Sequence, residues 1–161
     1  MVHFAGMVNR KRVPTARQTA GAFGELQVIK ECHCPRCKRS TRTLKRLPGN
    51  SRCADVICDF CGYLAQVKTH STSKIDEVPK SIVSAGWRPQ KERMDAGIYF
   101  PLFLVMVAPD RRHSIFYLSA DLQEQAMFQV RPPLPPPARR EGWQGFRYNL
   151  DSVQSRFARI R

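Results

Sequence analysis

The sequence predicts an α+β fold that carries a zinc-binding hairpin with four cysteine ligands. Two C-x-x-C pairs, Cys34–Cys37 and Cys58–Cys61, lie about twenty residues apart, which is the spacing of a four-thiolate zinc site. A helix-favouring segment at 15–28 precedes the pairs, and a long apolar run at 98–108 follows them. Helical and strand patterns therefore occur in one chain, with the metal motif between them.

Composition limits the partners and the compartment. The chain has 161 residues, enough for one domain with a substantial core, and 27 Lys and Arg against 13 Asp and Glu give a net charge of +14. This charge favours a polyanionic partner, with nucleic acid ahead of an anionic membrane. The longest apolar run is too short to span a bilayer, and the N-terminus lacks the apolar stretch of a signal peptide. We therefore expect a cytoplasmic protein whose six cysteines are metal ligands or packed thiols rather than disulfides.

The N-terminal part is predicted to contain an arm and a helix. Residues 1–16 are basic and form either a solvated tail or a phosphate-binding arm ahead of a domain at 17–161. Thr15 is a suitable cap for the helix, on which Phe23, Leu26 and Ile29 are expected to face the core.

The cysteine-rich segment at 34–61 is predicted to be a zinc site within this domain. Each C-x-x-C pair presents two thiolates across a tight turn, so the expected ligands are Cys34, Cys37, Cys58 and Cys61. His33 is an alternative ligand, Cys32 is a neighbour, and Cys53 is expected to be a packed thiol. Between the pairs, residues 38–52 contain cations and no acid, and are predicted to be a loop that is either solvated or in contact with the DNA backbone.

The second cysteine pair lies at the tip of a predicted hairpin. Strands are expected at 53–57 and 63–68, with the zinc knuckle between them. Strand alternation places Gln66 and Lys68 on one face, and pairing about the tip brings Asp55 opposite residues 64–66. An acid, an amide and a lysine are therefore expected to converge on one sheet surface.

The remaining elements are predicted from periodicity and from turn residues. We expect a short helix at 79–86 ended by Gly86, a helix at 89–96 stopped by Gly97, and a helical turn within 121–127. Strands are predicted at 98–108, 114–120 and 157–161, and the proline-rich segment 131–137 is predicted to be a rigid loop. Met127, Phe128 and Val130 are expected in the core.

The acid, amide and lysine of the hairpin resemble the catalytic core of the PD-(D/E)xK nucleases. Phosphodiester hydrolysis requires a divalent metal ion that neutralises the phosphate and activates water. By this resemblance Asp55, Gln66 and the carbonyl of Val67 would bind Mg²⁺, and Lys68 would orient or deprotonate the attacking water. The resemblance implies the fold of that superfamily, a mixed central sheet flanked by helices.

Two longer motifs resemble the Dam-replacing (DpnI) family of restriction endonucleases. The first is C-P-R-C at 34–37 followed by A-D-V-I-C-D-F-C and the Q-x-K of 66–68, and the second is A-R-R-E-G-W-Q-G at 138–145 after R-P-P-L at 131–134. The resemblance implies a bacterial or phage-encoded type II restriction endonuclease. It would cleave duplex DNA at GATC-type sites that contain N6-methyladenine, with catalytic Mg²⁺ and structural Zn²⁺, as a monomer or a weak dimer.

The chain departs from the family pattern at two points. Gln66 stands where the family usually has Glu, and an uncharged amide is expected to bind metal more weakly. Glu25 resembles the helix acid that several nucleases of the superfamily place near the metal, and its alternative is a surface glutamate. The second departure is that proteins of the family often carry a winged-helix domain after the nuclease domain, whereas we expect none here because the chain ends at Arg161.

Trp143, flanked by glycines, is the candidate reader of the adenine methyl group, with Arg139 and Arg140 on phosphates or guanine edges. The alternative is that Trp143 packs in the core and the two arginines are solvated. Two competing functions remain at this point. One is a non-catalytic zinc-ribbon DNA-binding protein, and the other is a PD-(D/E)xK nuclease of different specificity.

Overall fold

The computed structural model describes residues 13–49 and 51–161, so the predicted arm lies outside the described residues except for 13–16. Within these ranges the fold has two α-helices and nine β-strands. In chain order they are α1 (Ala16–Glu31), β1 (Leu44–Arg46), β2 (Val56–Cys58), β3 (Leu64–Ser71), β4 (Ser81–Trp87), α2 (Arg88–Asp95), β5 (Leu102–Val107), β6 (His113–Leu118), β7 (Phe128–Val130), β8 (Trp143–Asn149) and β9 (Ala158–Arg159). Short 3₁₀ turns occupy Ala120–Leu122, Gln125–Met127, Pro136–Ala138 and Gln154–Arg156.

The strands form two sheets. Six strands pair in the order β1-β2-β3-β5-β6-β9, and this sheet is mixed because β3 and β5 run parallel while its other neighbours are antiparallel. The second sheet is antiparallel and has the order β4-β8-β7. The predicted α+β class and the mixed sheet are confirmed, whereas the second sheet was not anticipated.

Strand β5 separates two halves of the core. Leu102, Leu104 and Met106 pack in a cluster with residues of the second sheet, such as Phe146. Phe103 and Val105 point the other way and pack with α1 and the cysteine-rich segment. All of these side chains are at most 2% exposed. The predicted buried strand at 98–108 is confirmed for residues 102–107, which are covered on both faces, and this explains the continuous apolar run there, whereas Ile98 precedes the strand and is 57% exposed.

Helix α1 begins where the sequence predicts. The Thr15 side chain accepts a hydrogen bond from the Gln18 backbone, and the Gln18 side chain accepts one from the Thr15 backbone, which completes a capping box. The helix faces the core with Gly24 and Val28. The prediction for Leu26 was wrong, because this side chain points outward and is 38% exposed.

Several predicted elements differ from the observed ones. Residues 81–87 form strand β4 rather than a helix, and Gly86 lies inside that strand instead of ending a helix. The reason is non-local, since all seven residues of β4 pair with β8. Part of the predicted loop 38–52 is likewise strand β1, which pairs with β2. Val130 was wrongly assigned to the core and is 55% exposed, because β7 is an edge strand.

Over the described ranges, no helix combines the length and the apolarity that a membrane span requires.

Candidate functional site

The four cysteines of the two C-x-x-C pairs meet at one point. Their Sγ atoms all lie within 4.8 Å of one another, with 3.6 Å between Cys34 and Cys61 and 3.8 Å between Cys37 and Cys58. Four thiolates about 2.3 Å from a tetrahedral zinc ion would lie about 3.8 Å apart. The donor set and its spacing therefore fit a metal ion such as zinc.

The chain around these thiols has the geometry of tight metal-binding turns. Lys38 donates its backbone N–H to the carbonyl of Cys34, and Gly62 donates to Cys58, at 3.0 and 2.9 Å. Both donors have a positive φ, 51° and 73°, which bends the backbone back over the thiols. Thr43 Oγ1 lies 3.1 Å from Cys58 Sγ, so one hydroxyl orients a ligand from outside the cluster.

The alternative donors lie outside this cluster. Among the described residues, the group contains neither Cys32 nor His33. Cys32 caps the C-terminus of α1, and its burial raises the pKa of the thiol to about 11. His33 is exposed to solvent, and Cys53 lines a different feature, a cleft beside the hairpin.

That cleft brings together the three polar side chains of the hairpin. Asp55 donates its backbone N–H to the Ala65 carbonyl at 3.0 Å, which places it opposite Gln66 at the start of the β2–β3 pairing. Asp55, Gln66 and Lys68 all line the cleft. One carboxylate oxygen of Asp55 also accepts the Val67 backbone N–H at 2.7 Å, so the acid is fixed against the neighbouring strand.

Gln66 is oriented by its own hydrogen bond. The side chain is nearly buried, with 7% of the residue exposed, and its Nε2 donates to the Cys53 carbonyl at 3.1 Å. Because a carbonyl can only accept, this contact assigns the NH₂ group to Cys53. The amide oxygen is then the atom that remains to bind a cation in the cleft.

Glu25 reaches the same region from α1. It forms an ion pair with Arg46 of β1, and its side chain is 19% exposed. Burial raises the pKa of Glu25, the negative charge of Asp55 raises it further, and Arg46 and Lys68 oppose the shift. Glu25 is therefore electrostatically coupled to the hairpin acid and lysine, which a solvated surface glutamate would not be.

Gly24 allows this approach of α1 to β3. A Cβ atom at Gly24 would overlap the Oγ1 of Thr69, a side chain of β3, whereas a Cβ at Gly21 would meet nothing within 4 Å. The absence of a side chain at position 24 thus lets the helix lie directly on the strand that carries Lys68. Glu25, the next residue of the helix, is thereby close enough for the charges of Asp55 and Lys68 to influence its pKa.

Of the three residues predicted to contact DNA, Trp143 lines the cleft, whereas Arg139 and Arg140 lie outside it. Trp143 begins β8, lines the cleft and is 39% exposed. Arg139 and Arg140 lie in the exposed loop before it and do not line the cleft. Arg139 donates its Nε–H to the Leu134 carbonyl at 2.7 Å, which fixes the loop. Trp143 therefore joins the hairpin residues, and the two arginines remain on the neighbouring surface.

The sequence interpretation missed the part of the cleft that is formed by β4 and α2. Trp87 ends β4, pairs with Trp143 across the strands and contacts its ring, with 4.5 Å between ring centroids. Gln90 follows in the first turn of α2 and also lines the cleft. No local signal marks either residue as part of the cleft, because their position depends on the pairing of β4 with β8.

Fold and site define a basic α+β protein of the restriction-related class, with a cluster of four cysteines that could hold a metal ion and an acid–amide–lysine cleft. The family model of DpnI, the Dam-replacing family, matches residues 2–160, nearly the whole chain. The chain therefore belongs to the Dam-replacing family, as its motifs indicated, and membership implies a DNA substrate. A comparison with curated protein sequences gives no significant match.

Proposed function

We propose that this protein is a Mg²⁺-dependent endonuclease that hydrolyses phosphodiester bonds in duplex DNA at GATC-type sites carrying N6-methyladenine. One observation carries the catalytic part of the proposal: Asp55, Gln66 and Lys68 line a single cleft on a hairpin whose tip ends in four clustered thiols. Membership in the Dam-replacing family supports the DNA substrate.

The oxygen donors in the cleft suit a hard divalent cation. Asp55, the amide oxygen of Gln66 and the Val67 carbonyl would hold Mg²⁺, and Glu25 is a further ligand candidate. The bound ion would neutralise the phosphate and lower the pKa of a water molecule. Because the Gln66 amide is neutral, Glu25 would supply the second negative charge that a glutamate at position 66 would otherwise bring.

Lys68 is assigned to the attacking water and to the developing negative charge. It follows Gln66 by two residues on β3, so both side chains emerge on the same face of the strand. An ammonium group at this position would orient the water and stabilise the charge on the phosphate oxygens in the transition state, whereas the neutral amine would be the form that accepts a proton from the water. Lys68 is therefore the residue whose loss should affect the chemical step most.

Zinc is assigned a structural role. The cysteine cluster includes Cys58 at the end of β2 and Cys61 just before β3, so a bound ion would fix the turn that joins the two catalytic strands. A closed set of four thiolates leaves no open coordination position for substrate. The catalytic and structural metals would thus occupy different donor sets, oxygen in the cleft and sulfur at the tip.

Recognition of methylated DNA is assigned to Trp143 and the basic surface around it. An indole that is partly exposed at the edge of the cleft offers apolar contact to the N6-methyl group, which projects into the major groove. Arg139 and Arg140 would contact phosphates beside it. The net charge of +14 supplies the non-specific attraction to duplex DNA.

The test uses one plasmid prepared in methylated and in unmethylated form. With Mg²⁺, the protein should linearise or fragment the Dam-methylated plasmid and leave the unmethylated plasmid intact, and EDTA should abolish cleavage. Equal cleavage of both forms would show that cleavage does not depend on adenine methylation, but it would still support the proposed nuclease activity. Binding of both forms without any cleavage by folded, zinc-loaded protein would favour a non-catalytic zinc-ribbon protein.

A further inference from the structure

The loop that leads from β1 to Asp55 brings a second cation into the hairpin cleft. Arg52 lines the cleft together with Asp55 and Lys68, and the other residues that line it carry no charge. The cleft therefore presents one carboxylate and two cations to whatever enters it. Arg52 has no part in the proposed reaction so far.

Hydrogen bonds fix the backbone on both sides of Arg52. Ser51 donates its backbone N–H to the Pro48 carbonyl at 2.9 Å, which closes a turn within the loop. On the other side, the Cys53 carbonyl accepts the side-chain amide of Gln66 at 3.1 Å. The residue is thus held between a turn of its own loop and the amide that is proposed to bind the metal ion.

The guanidinium group of Arg52 is not neutralised by the protein. Other arginines pair with acids, as Arg46 does with Glu25 and Arg156 with Glu124. In the part of the chain that the structure describes, by contrast, no carboxylate pairs with Arg52, and the residue is exposed to solvent. An arginine also stays charged at any physiological pH. Its charge and donors are therefore available to an anion that enters the cleft.

The chemistry of this position favours a phosphate group. A guanidinium presents a rigid fork of N–H donors that matches two oxygens of one phosphate. Arginine also binds the edge of guanine. However, Arg52 lies three residues before Asp55 and shares the cleft with Lys68, which is where the phosphate that reacts must lie in the proposed function. The cleft residues thus favour a phosphate oxygen as the acceptor.

Resting on the proposed function, we propose that Arg52 binds the non-bridging oxygens of the phosphate that is cleaved. The guanidinium donates hydrogen bonds to these oxygens and stabilises the negative charge that develops on them, while Lys68 acts on the attacking water. Arg52 is then a further catalytic residue. Its contact with the phosphate does not require Mg²⁺, because the two cations of the cleft outnumber its single carboxylate.

The test compares two N6-methylated duplexes that differ at one phosphate. The cleavage position is first mapped with Mg²⁺ on an unmodified methylated duplex. The second duplex carries an uncharged methylphosphonate at that position, which removes an anionic oxygen. Fluorescence anisotropy without added Mg²⁺ measures the affinity of the protein for both. The wild type should bind the methylphosphonate duplex about tenfold more weakly, because a charge-assisted hydrogen bond is lost.

Three variants assign this loss to one side chain. Arg52→Met should bind both duplexes equally, at the weaker level, and with Mg²⁺ its single-turnover cleavage rate should fall by at least about 100-fold. Arg52→Lys keeps the charge without the fork, so it should retain part of the difference in affinity and cleave at an intermediate rate. Arg17→Met, which removes the same charge from an exposed position on α1 outside the cleft, should show the wild-type difference.

The contrary outcomes separate this inference from the proposed function. If the wild type cleaves methylated DNA but binds both duplexes equally, the assignment of Arg52 is wrong and the nuclease proposal stands. The assignment is also wrong if Arg52→Met weakens binding of both duplexes by the same factor, because Arg52 would then contact another part of the DNA, such as a guanine edge. If the wild type cleaves no methylated duplex, the proposed function fails and this inference fails with it.

Discussion

At the scale of single residues, Gln66 distinguishes this cleft from the acid-x-lysine pattern of its relatives. Its Nε2 is bound by the Cys53 carbonyl, so the amide is matched to its surroundings as an amide. A carboxylate at this position would have no donor on that side and would lie beside Asp55. At this position the chain therefore has a satisfied side-chain hydrogen bond in place of a second negative charge in the cleft.

Gln66→Glu should change stability and metal affinity in opposite directions. In EDTA, the free energy of unfolding should fall by about 1–3 kcal/mol, because a buried carboxylate loses the contact with Cys53. In cleavage assays, the Mg²⁺ concentration for half-maximal rate should also fall, because the added charge strengthens metal binding. Chemical denaturation and a Mg²⁺ titration measure the two effects. Gln125→Glu on the surface is the control, and an unchanged Mg²⁺ requirement would argue against Gln66 as a ligand.

The sequence was sufficient to bring Asp55, Gln66 and Lys68 to one surface, because strand alternation and a short hairpin are local rules. It was insufficient for Trp87 and Gln90. Their position depends on the pairing of β4 with β8, more than fifty residues away in the chain, and no local pattern specifies that partner.

At the scale of elements, the contact of α1 with β3 sets the distance between Glu25 and the hairpin. Gly24 is the point of closest approach, and Gly21, one turn earlier on the same helix, faces open space. The two glycines thus have opposite structural roles in the same element, which gives a matched pair of substitutions.

Gly24→Ala should destabilise the protein by about 1–3 kcal/mol, because the added methyl group forces α1 away from Thr69. Gly21→Ala should stabilise it by about 0.5–1 kcal/mol through better helix propensity. Thermal unfolding of both variants, with the wild type as reference, measures the difference. A Gly24→Ala protein as stable as Gly21→Ala would show that the helix does not lie this close to β3.

Elements defined by local signals were predicted well. The capping box at Thr15, the helix at α2 and the buried strand β5 each carry their information within a few residues. By contrast, the segments that form β1 and β4 were predicted to be a loop and a helix. The run of cations around β1 favoured a loop, and the Pro-Lys-Ser segment that leads into β4 favoured a helix, because the alternation of apolar and polar residues is weak in both strands. Tertiary pairing overrode local preference in both cases.

At the scale of the whole molecule, the cysteine cluster joins segments that are distant in sequence. Cys34 lies just after α1, and Cys61 lies at the hairpin tip. Both halves of the cluster pack in the core half that also contains Val28 and Phe103. Loss of the metal should therefore loosen that half of the core as well as the hairpin.

Cys58→Ser should abolish zinc binding and lower the unfolding temperature by roughly 10 °C, because a structural zinc site contributes several kcal/mol to folding. Cys53→Ser, which changes a thiol outside the cluster, should retain one zinc ion per chain. Metal analysis of the purified variants and thermal unfolding with and without a chelator provide the measurements. Zinc content in Cys58→Ser equal to that of the wild type would refute the ligand assignment.

Cleavage by Lys68→Ala tests most directly the claim that the hairpin cleft is a nuclease active site. On a methylated duplex at saturating Mg²⁺, the single-turnover cleavage rate should fall by at least about 100-fold, while duplex affinity and the unfolding temperature stay close to wild type. Lys74→Ala, which removes an exposed lysine from the loop after β3, should cleave at the wild-type rate. Cleavage by Lys68→Ala within a few-fold of the wild-type rate would contradict the account.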